Sequence, residues 1–197
     1  MLKRLFDISC SAFGLLVLLP FLALIALAIK LDSPGPVFFR QERVGRHGVP
    51  FRIHKLRSMR VEQSAADRQI TVGADARITR VGKRIRQWKL DELVQLIDVL
   101  DGSMSLVGPR PEVPRYVATY PAEVRDEILS VRPGITDLAS IRFRNESEIL
   151  ARASDPERAY QEVILPEKLR LQQEYVRTRS FRGDLAIIFM TIAAILR

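Results

Sequence analysis

Residues 1–30 read MLKRLFDISCSAFGLLVLLPFLALIALAIK, and the reading of this stretch decides the fold. No residue from Ile8 to Ile29 is charged. As one α-helix that run is roughly 33 Å long, enough to cross a bilayer core. Two features oppose a plain crossing. Pro20 sits near the middle, where it removes a backbone donor and clashes with the preceding turn. Each half is then roughly 15–18 Å long, too short to cross alone. Both flanks are also basic: Lys3 and Arg4 precede the run, and Lys30, Arg40, Arg43 and Arg46 follow it. Cytoplasmic flanks carry an excess of Lys and Arg, which places both ends on one side. The expectation is a re-entrant, Pro-broken membrane helix over residues 1–31. It enters and leaves on the cytoplasmic face, with Leu19 and Pro20 at the break and Lys3 and Arg4 at the surface; a kinked spanning helix stays open, since such helices are common. A cleavable signal is disfavoured, because the apolar run is too long and no small-residue cleavage pattern precedes Asp32.

Outward from this segment, Ser33-Pro34-Gly35-Pro36 is a strong breaker. Residues 32–197 are expected to form a compact cytosolic catalytic domain, one unit with the membrane helix. Val37-Phe38-Phe39 and Phe51-Arg52-Ile53 read as strands with Gly45 and Gly48 between them, a small β-hairpin. Residues 61–74 read as a polar loop. From Ile78 to Leu100 the period becomes helical, with Leu90, Leu93, Leu96, Ile97 and Leu100 on one face and a break near Trp88-Lys89. Gly102, Gly108, Pro109, Pro111 and Pro114 predict a stiff loop. Pro121 opens a helix through Leu129. A long polar helix is expected from about Pro156 to Arg179. The apolar run Leu185–Leu196 is too short to span and predicts an interfacial helix. The fold class is α+β, mainly helical.

The chain of 197 residues carries a formal net charge of +8. That balance favours anionic partners: nucleic acid, an anionic membrane surface or phosphate-bearing substrates. Nucleic acid is disfavoured, since neither a basic-aromatic stacking pattern nor a DNA-binding signature is present. The one cysteine, Cys10, rules out an internal disulfide framework and is compatible with a cytosolic face. His47 and His54 lack metal-ligand spacing. There is no P-loop and no GxGxxG stretch, and no Ser-His-Asp arrangement can be assigned.

Asp91 and Glu92 open the amphipathic helix, where backbone donors stabilise ionised carboxylates. Acidic residues in a first turn are common, but here Lys83, Arg84, Arg86 and Lys89 lie just upstream. A carboxylate attacks phosphorus only if the phosphate charge is neutralised, by cations or a divalent metal. One member of such a pair can hold a hard ion such as Mg²⁺ while the other attacks. The same cations would also suit a solvated face or a lipid surface. Arg110 sits between Pro109 and Pro111, so its backbone is restricted and its guanidinium suits bidentate phosphate recognition. A third cluster, Arg132-Pro133-Gly134-Ile135-Thr136 with Arg142, Arg144 and Asn145, reads either as a site for phosphate, uracil or sugar or as surface ion pairs.

Several ordered stretches together resemble the small monotopic phosphoglycosyl transferases of the bacterial sugar transferase family. They are Lys3-Arg4-Leu5-Phe6-Asp7, Ser33 to Phe39 with Gln41 and Arg43-Val44-Gly45, and Phe51 to Met59. Leu90-Asp91-Glu92-Leu93, Met104 to Pro111 and Val131 to Thr136 complete the set. The resemblance implies that Asp91 attacks the β-phosphate of a UDP-sugar and that UMP leaves. Polyprenyl phosphate then takes the phosphosugar from Asp91. It further implies that Glu92, with Asp91, binds Mg²⁺, and that Arg86 and Arg110 bind substrate phosphates. Lys55 and Arg57, within the matched stretch Phe51 to Met59, join Arg132, Arg144 and Asn145 as expected substrate-binding residues. The implied setting is the cytoplasmic face of a bacterial inner membrane, in phospholipid, with a homodimer left open. Leu19 stands where the family often has Ser, and Asp137 to Arg144 replace a Gly-Trp-Ala-Gln-like stretch. Two other readings stay open: a glycosyltransferase releasing UDP, and a non-enzymatic membrane-anchored scaffold.

Overall fold

A computed structural model describes residues 1–60, 70–73 and 75–196. The polar loop expected over 61–74 falls for the most part outside them, at 61–69 and 74.

The N-terminal stretch forms one helix, α1 (Leu2–Asp32), which carries Pro20 in its interior and stays helical on both sides of it. Pro20 therefore ends neither half. Its lost donor and ring clash are local costs, and packing holds the helix on either side, since Leu18 and Leu22 join the same cluster. The helix is long and apolar enough to cross a membrane by length and composition, yet only 17% of its most apolar window is buried.

α1 is attached to the rest of the fold along its whole length. Near its start, Arg4 donates to the Val99 carbonyl at 2.6 Å and Lys3 to the Val107 carbonyl at 3.0 Å. Buried Asp7 accepts from the Ser105 hydroxyl at 2.8 Å. At Gly14 a Cβ would lie 3.2 Å from the Leu96 side chain, so the helix approaches closely there. Further on, Leu22, Ile25 and Ile29 cluster with Leu56, Ile85 and Val94. At its end Asp32 accepts from the Val81 amide at 2.9 Å. Lys3 and Arg4 fasten α1 to the domain.

The hairpin forms as expected. β1 (Phe38–Val44) pairs antiparallel with β2 (Pro50–Leu56), from Phe38↔Leu56 to Val44↔Pro50. The helical stretch resolves into α2 (Arg80–Gln87), a 3-10 helix (Leu90–Gln95) and α3 (Leu96–Asp101). The break falls at Trp88-Lys89, where Lys89 takes a left-handed conformation with φ 55°.

The stiff loop contains an element its composition conceals. β3 (Ser105–Val107) pairs in parallel with β4 (Gly134–Thr136). The glycines that follow and begin these strands allow the crossing, since a Cβ on Gly134 would lie 2.1 Å from the Gly108 nitrogen. Short helices α4 (Pro114–Val117), α5 (Ala122–Ile128), α6 (Leu138–Arg142), α7 (Glu146–Ala151) and α8 (Pro156–Ala159) follow in chain order. The long helix expected over 156–179 is α8, a π-helical turn at Tyr160–Ile164, and α9 (Leu165–Thr178). α10 (Phe181–Leu196) closes the described chain, with Phe189, Met190, Ile192 and Leu196 exposed. The largest core cluster packs α4 and α5 against the π turn and α9, through Tyr116, Val117, Ile128, Leu150, Tyr160 and Ile164.

Candidate active site

Three elements converge on the Asp91-Glu92 pair. The left-handed backbone at Lys89 redirects the chain after α2, and the pair then occupies the first turn of the 3-10 helix. β2 supplies Lys55, whose ammonium donates to Glu92 Oε1 at 2.9 Å. The loop after β3 supplies Arg110. Its Nη1 donates to Glu92 Oε2 at 2.9 Å, and its Nη2 donates to Oε1. This is the bidentate fork that a guanidinium makes with a carboxylate.

Arg110 is held from behind. The Gly134 amide donates to the Pro109 carbonyl at 3.0 Å and the Gly108 amide to the Thr136 carbonyl at 3.1 Å. Asp137, at the N-cap of α6, accepts the Arg110 amide at 3.1 Å and the Gln172 side chain at 3.2 Å. The two proline-glycine motifs, far apart in sequence, are thus the two sides of one crossing. A second layer lies beside it. Arg43 pairs with Glu112 at 3.5 Å and donates to the Pro111 carbonyl at 3.1 Å. Glu112 accepts from the Tyr160 hydroxyl at 2.8 Å, and Lys168 pairs with Glu146 over the Tyr160 ring.

The two adjacent carboxylates face opposite environments. Burial alone would raise the Glu92 carboxyl, but Arg110 and then Lys55 outweigh it and hold it well below the usual carboxylate range. Asp91 is 6% exposed, and its Oδ1 is buried without a hydrogen-bond partner. Burial and the neighbouring Glu92 charge raise its carboxyl, partly offset by Lys55, Arg86 and Lys89. Glu92 is thereby fixed in place and ionised, while Asp91 is an unpartnered carboxylate set among cations.

No three acidic or histidine side chains among the described residues cluster as a metal site. Asp91 Oδ1 lacks a partner, and Glu92 Oε2 accepts a single hydrogen bond. These are two protein oxygens. They suit Mg²⁺, which usually takes one or two carboxylates and completes its shell with water and substrate phosphates.

The bacterial sugar transferase family matches residues 1–197. The chain belongs to that family. One relative of this bacterial sugar transferase, from Caulobacter vibrioides, is a UDP-glucose:undecaprenyl-phosphate glucose-1-phosphate transferase. It is 37% identical over 98% of this chain and 69% of its own length. The protein of the same name from Escherichia coli K12 is 39% identical over 98% of this chain, which spans only 39% of it. An Aeromonas hydrophila relative is named as a UDP-N-acetylgalactosamine-undecaprenyl-phosphate N-acetylgalactosaminephosphotransferase. It is 35% identical over 99% of this chain and 44% of its own length.

Within this transferase the other expected positions are scattered. Arg86 reaches the Ser58 hydroxyl at 3.5 Å and contributes to the field at Asp91. Arg57, 3% exposed, donates to the carbonyls of Pro34, Ser33 and Ile29, so it caps the end of α1. Arg132 donates to the Gly102 carbonyl at 2.8 Å. Arg144 donates to the Ile195 carbonyl at 3.3 Å. Arg144 and Asn145 line an open cavity of about 440 Å³ with Ile141, Arg142, Glu148, Ile149 and Arg152. No hydrogen bond or ion pair among the described residues joins Arg57, Arg132, Arg144 or Asn145 to Asp91, Glu92 or Arg110. Conversely, Asp137, Gln172, Glu112 and Tyr160 support the site and were not expected there. A carboxylate directly after the Gly-Ile-Thr stretch and before Leu138 was the available signal for Asp137.

Proposed function

We propose that this chain transfers a sugar 1-phosphate from a UDP-sugar to polyprenyl (undecaprenyl) phosphate, through a phosphosugar ester on Asp91. The observation that carries this reading is the unpartnered, buried Asp91 oxygen beside a Glu92 locked by Lys55 and Arg110. An Asp91 oxygen attacks the donor's β-phosphorus. The bond from that phosphorus to the bridging oxygen breaks, and UMP leaves with the electron pair. An oxygen of the acceptor phosphate then attacks the same phosphorus, and the Asp91 carboxylate is released. Both steps concentrate phosphate charge at one place, where Arg86, Lys89 and Arg110 neutralise it. The Asp91 and Glu92 oxygens would hold Mg²⁺, which when bound offsets more of that charge. The relatives' names include both glucose and N-acetylgalactosamine, so the donor is a UDP-hexose whose identity a panel must decide. The product would open the assembly of an exopolysaccharide, capsule, O-antigen or glycoprotein glycan.

The same reading places α1 in the cytoplasmic leaflet of the inner membrane with both ends on one side. Its two ends grip one globular domain, through Arg4 to Val99 and Asp32 to Val81. A helix crossing the bilayer would carry one of those grips to the far side. The exposed apolar residues of α10 would rest at the same interface.

The test incubates the membrane-reconstituted chain with polyprenyl phosphate and a panel of UDP-sugars, then identifies the nucleotide released. UMP, with a phosphosugar mass on the peptide bearing Asp91 after quenching, is the expected result. UDP release would instead assign a glycosyltransferase that moves the sugar alone.

A further inference from the structure

Helix α2 divides its residues cleanly. Val81 and Ile85 pack toward Leu22, Ile25 and Ile29 of α1. Arg86 turns toward Ser58. Gly82 is buried, while Arg80, Lys83, Arg84 and Gln87, with Trp88 directly after the helix, are exposed, and their spacing of three and four puts them on one helical face. That face has three cations and no acidic residue. Among the described residues Arg80, Lys83 and Arg84 form no ion pair and no side-chain hydrogen bond. Arg80 lies within electrostatic range of Asp32, which is already held by the Val81 amide. Trp88, the one tryptophan of the chain, is 49% exposed. Alongside, α1 leaves Leu19, Phe21 and Leu24 uncovered.

We propose that this outward face of α2 docks on the anionic phospholipid headgroups of the bilayer that holds α1. The inference rests on the membrane placement of α1. Three unpaired cations match a negative leaflet in charge. An amphipathic indole belongs at the boundary between headgroup and acyl chain. α2 itself is packed on α1 through Val81 and Ile85, so its cations stay tethered to the helix that carries the exposed apolar residues. Its cations are not those aimed at Glu92, which are Lys55 and Arg110. Lipid docking and substrate binding therefore use different side chains.

Trp88 reports on this face directly. The full chain is reconstituted into vesicles of phosphatidylcholine alone or with added phosphatidylglycerol, and Trp88 emission and its quenching by aqueous acrylamide are measured. With phosphatidylglycerol, emission shifts to the blue and quenching falls. Raising salt from 0.1 M to 1 M reverses this, as the screening length drops from ~10 Å to ~3 Å. At about fivefold per cation, the double variant Lys83→Gln/Arg84→Gln lowers the bound-to-unbound ratio of the face roughly 25-fold. The charge-reversed pair Lys83→Glu/Arg84→Glu removes the lipid dependence, while both variants still float with the vesicles through α1. A chain that floats but shows equal quenching in both lipids overturns the docking face and leaves the placement of α1 standing. A chain that floats with neither lipid overturns both.

Discussion

Helix α9 and the stretch from α2 to Lys89 are both rich in cations, and they dispose of them differently. On α9, Lys168 pairs with Glu146, Arg170 with Glu167 and Glu174, and Arg177 with Glu127. In the other stretch Arg80, Lys83, Arg84, Arg86 and Lys89 form no ion pair among the described residues. Matched charges on a helix surface contribute little beyond register. Unmatched charges of one sign repel each other and draw anions. Among the described residues, the stretch from α2 to Lys89 therefore holds five cations without an ion pair immediately before Asp91.

The largest effect is expected at Asp91. Asp91→Asn should lower UMP release by roughly 10³-fold or more, because an amide is a poor nucleophile. Arg177→Gln, on the matched helix, should leave the same rate near wild type. Comparable losses in the two variants would erase the distinction. Next, Arg110→Ala should reduce kcat/KM by about 10²-fold, the usual cost of one preorganised charge-stabilising group, measured by initial rates over donor concentration.

The two carboxylates also differ in what they do to stability. Glu92 has its carboxyl lowered, so its contribution is fully present above the ordinary 4.5 and is lost as pH falls through the lowered value. Glu92→Gln should thus cost about 3 kcal/mol at neutral pH, since it strands Lys55 and Arg110, and less in acid. Denaturant melts across pH check this. Asp91 is the reverse case. Its carboxyl is raised above 3.8, so its charge costs stability above the raised value and nothing below 3.8. Asp91→Asn should gain about 1 kcal/mol at neutral pH, a gain that vanishes in acid. The acid limb of kcat/KM should also fall above 3.8, because the attacking carboxylate must be ionised. Smallest of all, Arg177→Gln should leave the thermal midpoint close to wild type, as read by calorimetry, because its pair with Glu127 is solvent-screened.

Much of the site was legible in local pattern. The hairpin, the break at Trp88-Lys89 and the acidic pair opening the next helix all follow from residues within a few positions of one another. Arg110 was also legible, since two flanking prolines restrict it. The contacts of Arg57, Arg132, Lys3 and Arg4 were not legible, for one reason: a cation in sequence does not announce its partner. Here the partners are backbone carbonyls of Ser33, Gly102, Val107 and Val99 and, for Lys3, also the Asp184 carboxylate at 2.6 Å. Asp137, Gln172, Glu112 and Tyr160 escaped because their roles exist only once distant segments meet.

That an apolar N-terminal helix adjoins a basic domain, and that a carboxylate pair follows a cationic helix, is written in local residue order. Periodicity, breakers and charge act over a few residues, so they can be read in order along the chain. Only the tertiary structure decided which carboxylate is locked and which is left unpartnered. That choice depends on β2 and the β3–β4 crossing delivering Lys55 and Arg110 to Glu92. Burial and ion pairing are properties of three-dimensional neighbours, and two adjacent acidic residues become different chemical groups only when those neighbours differ.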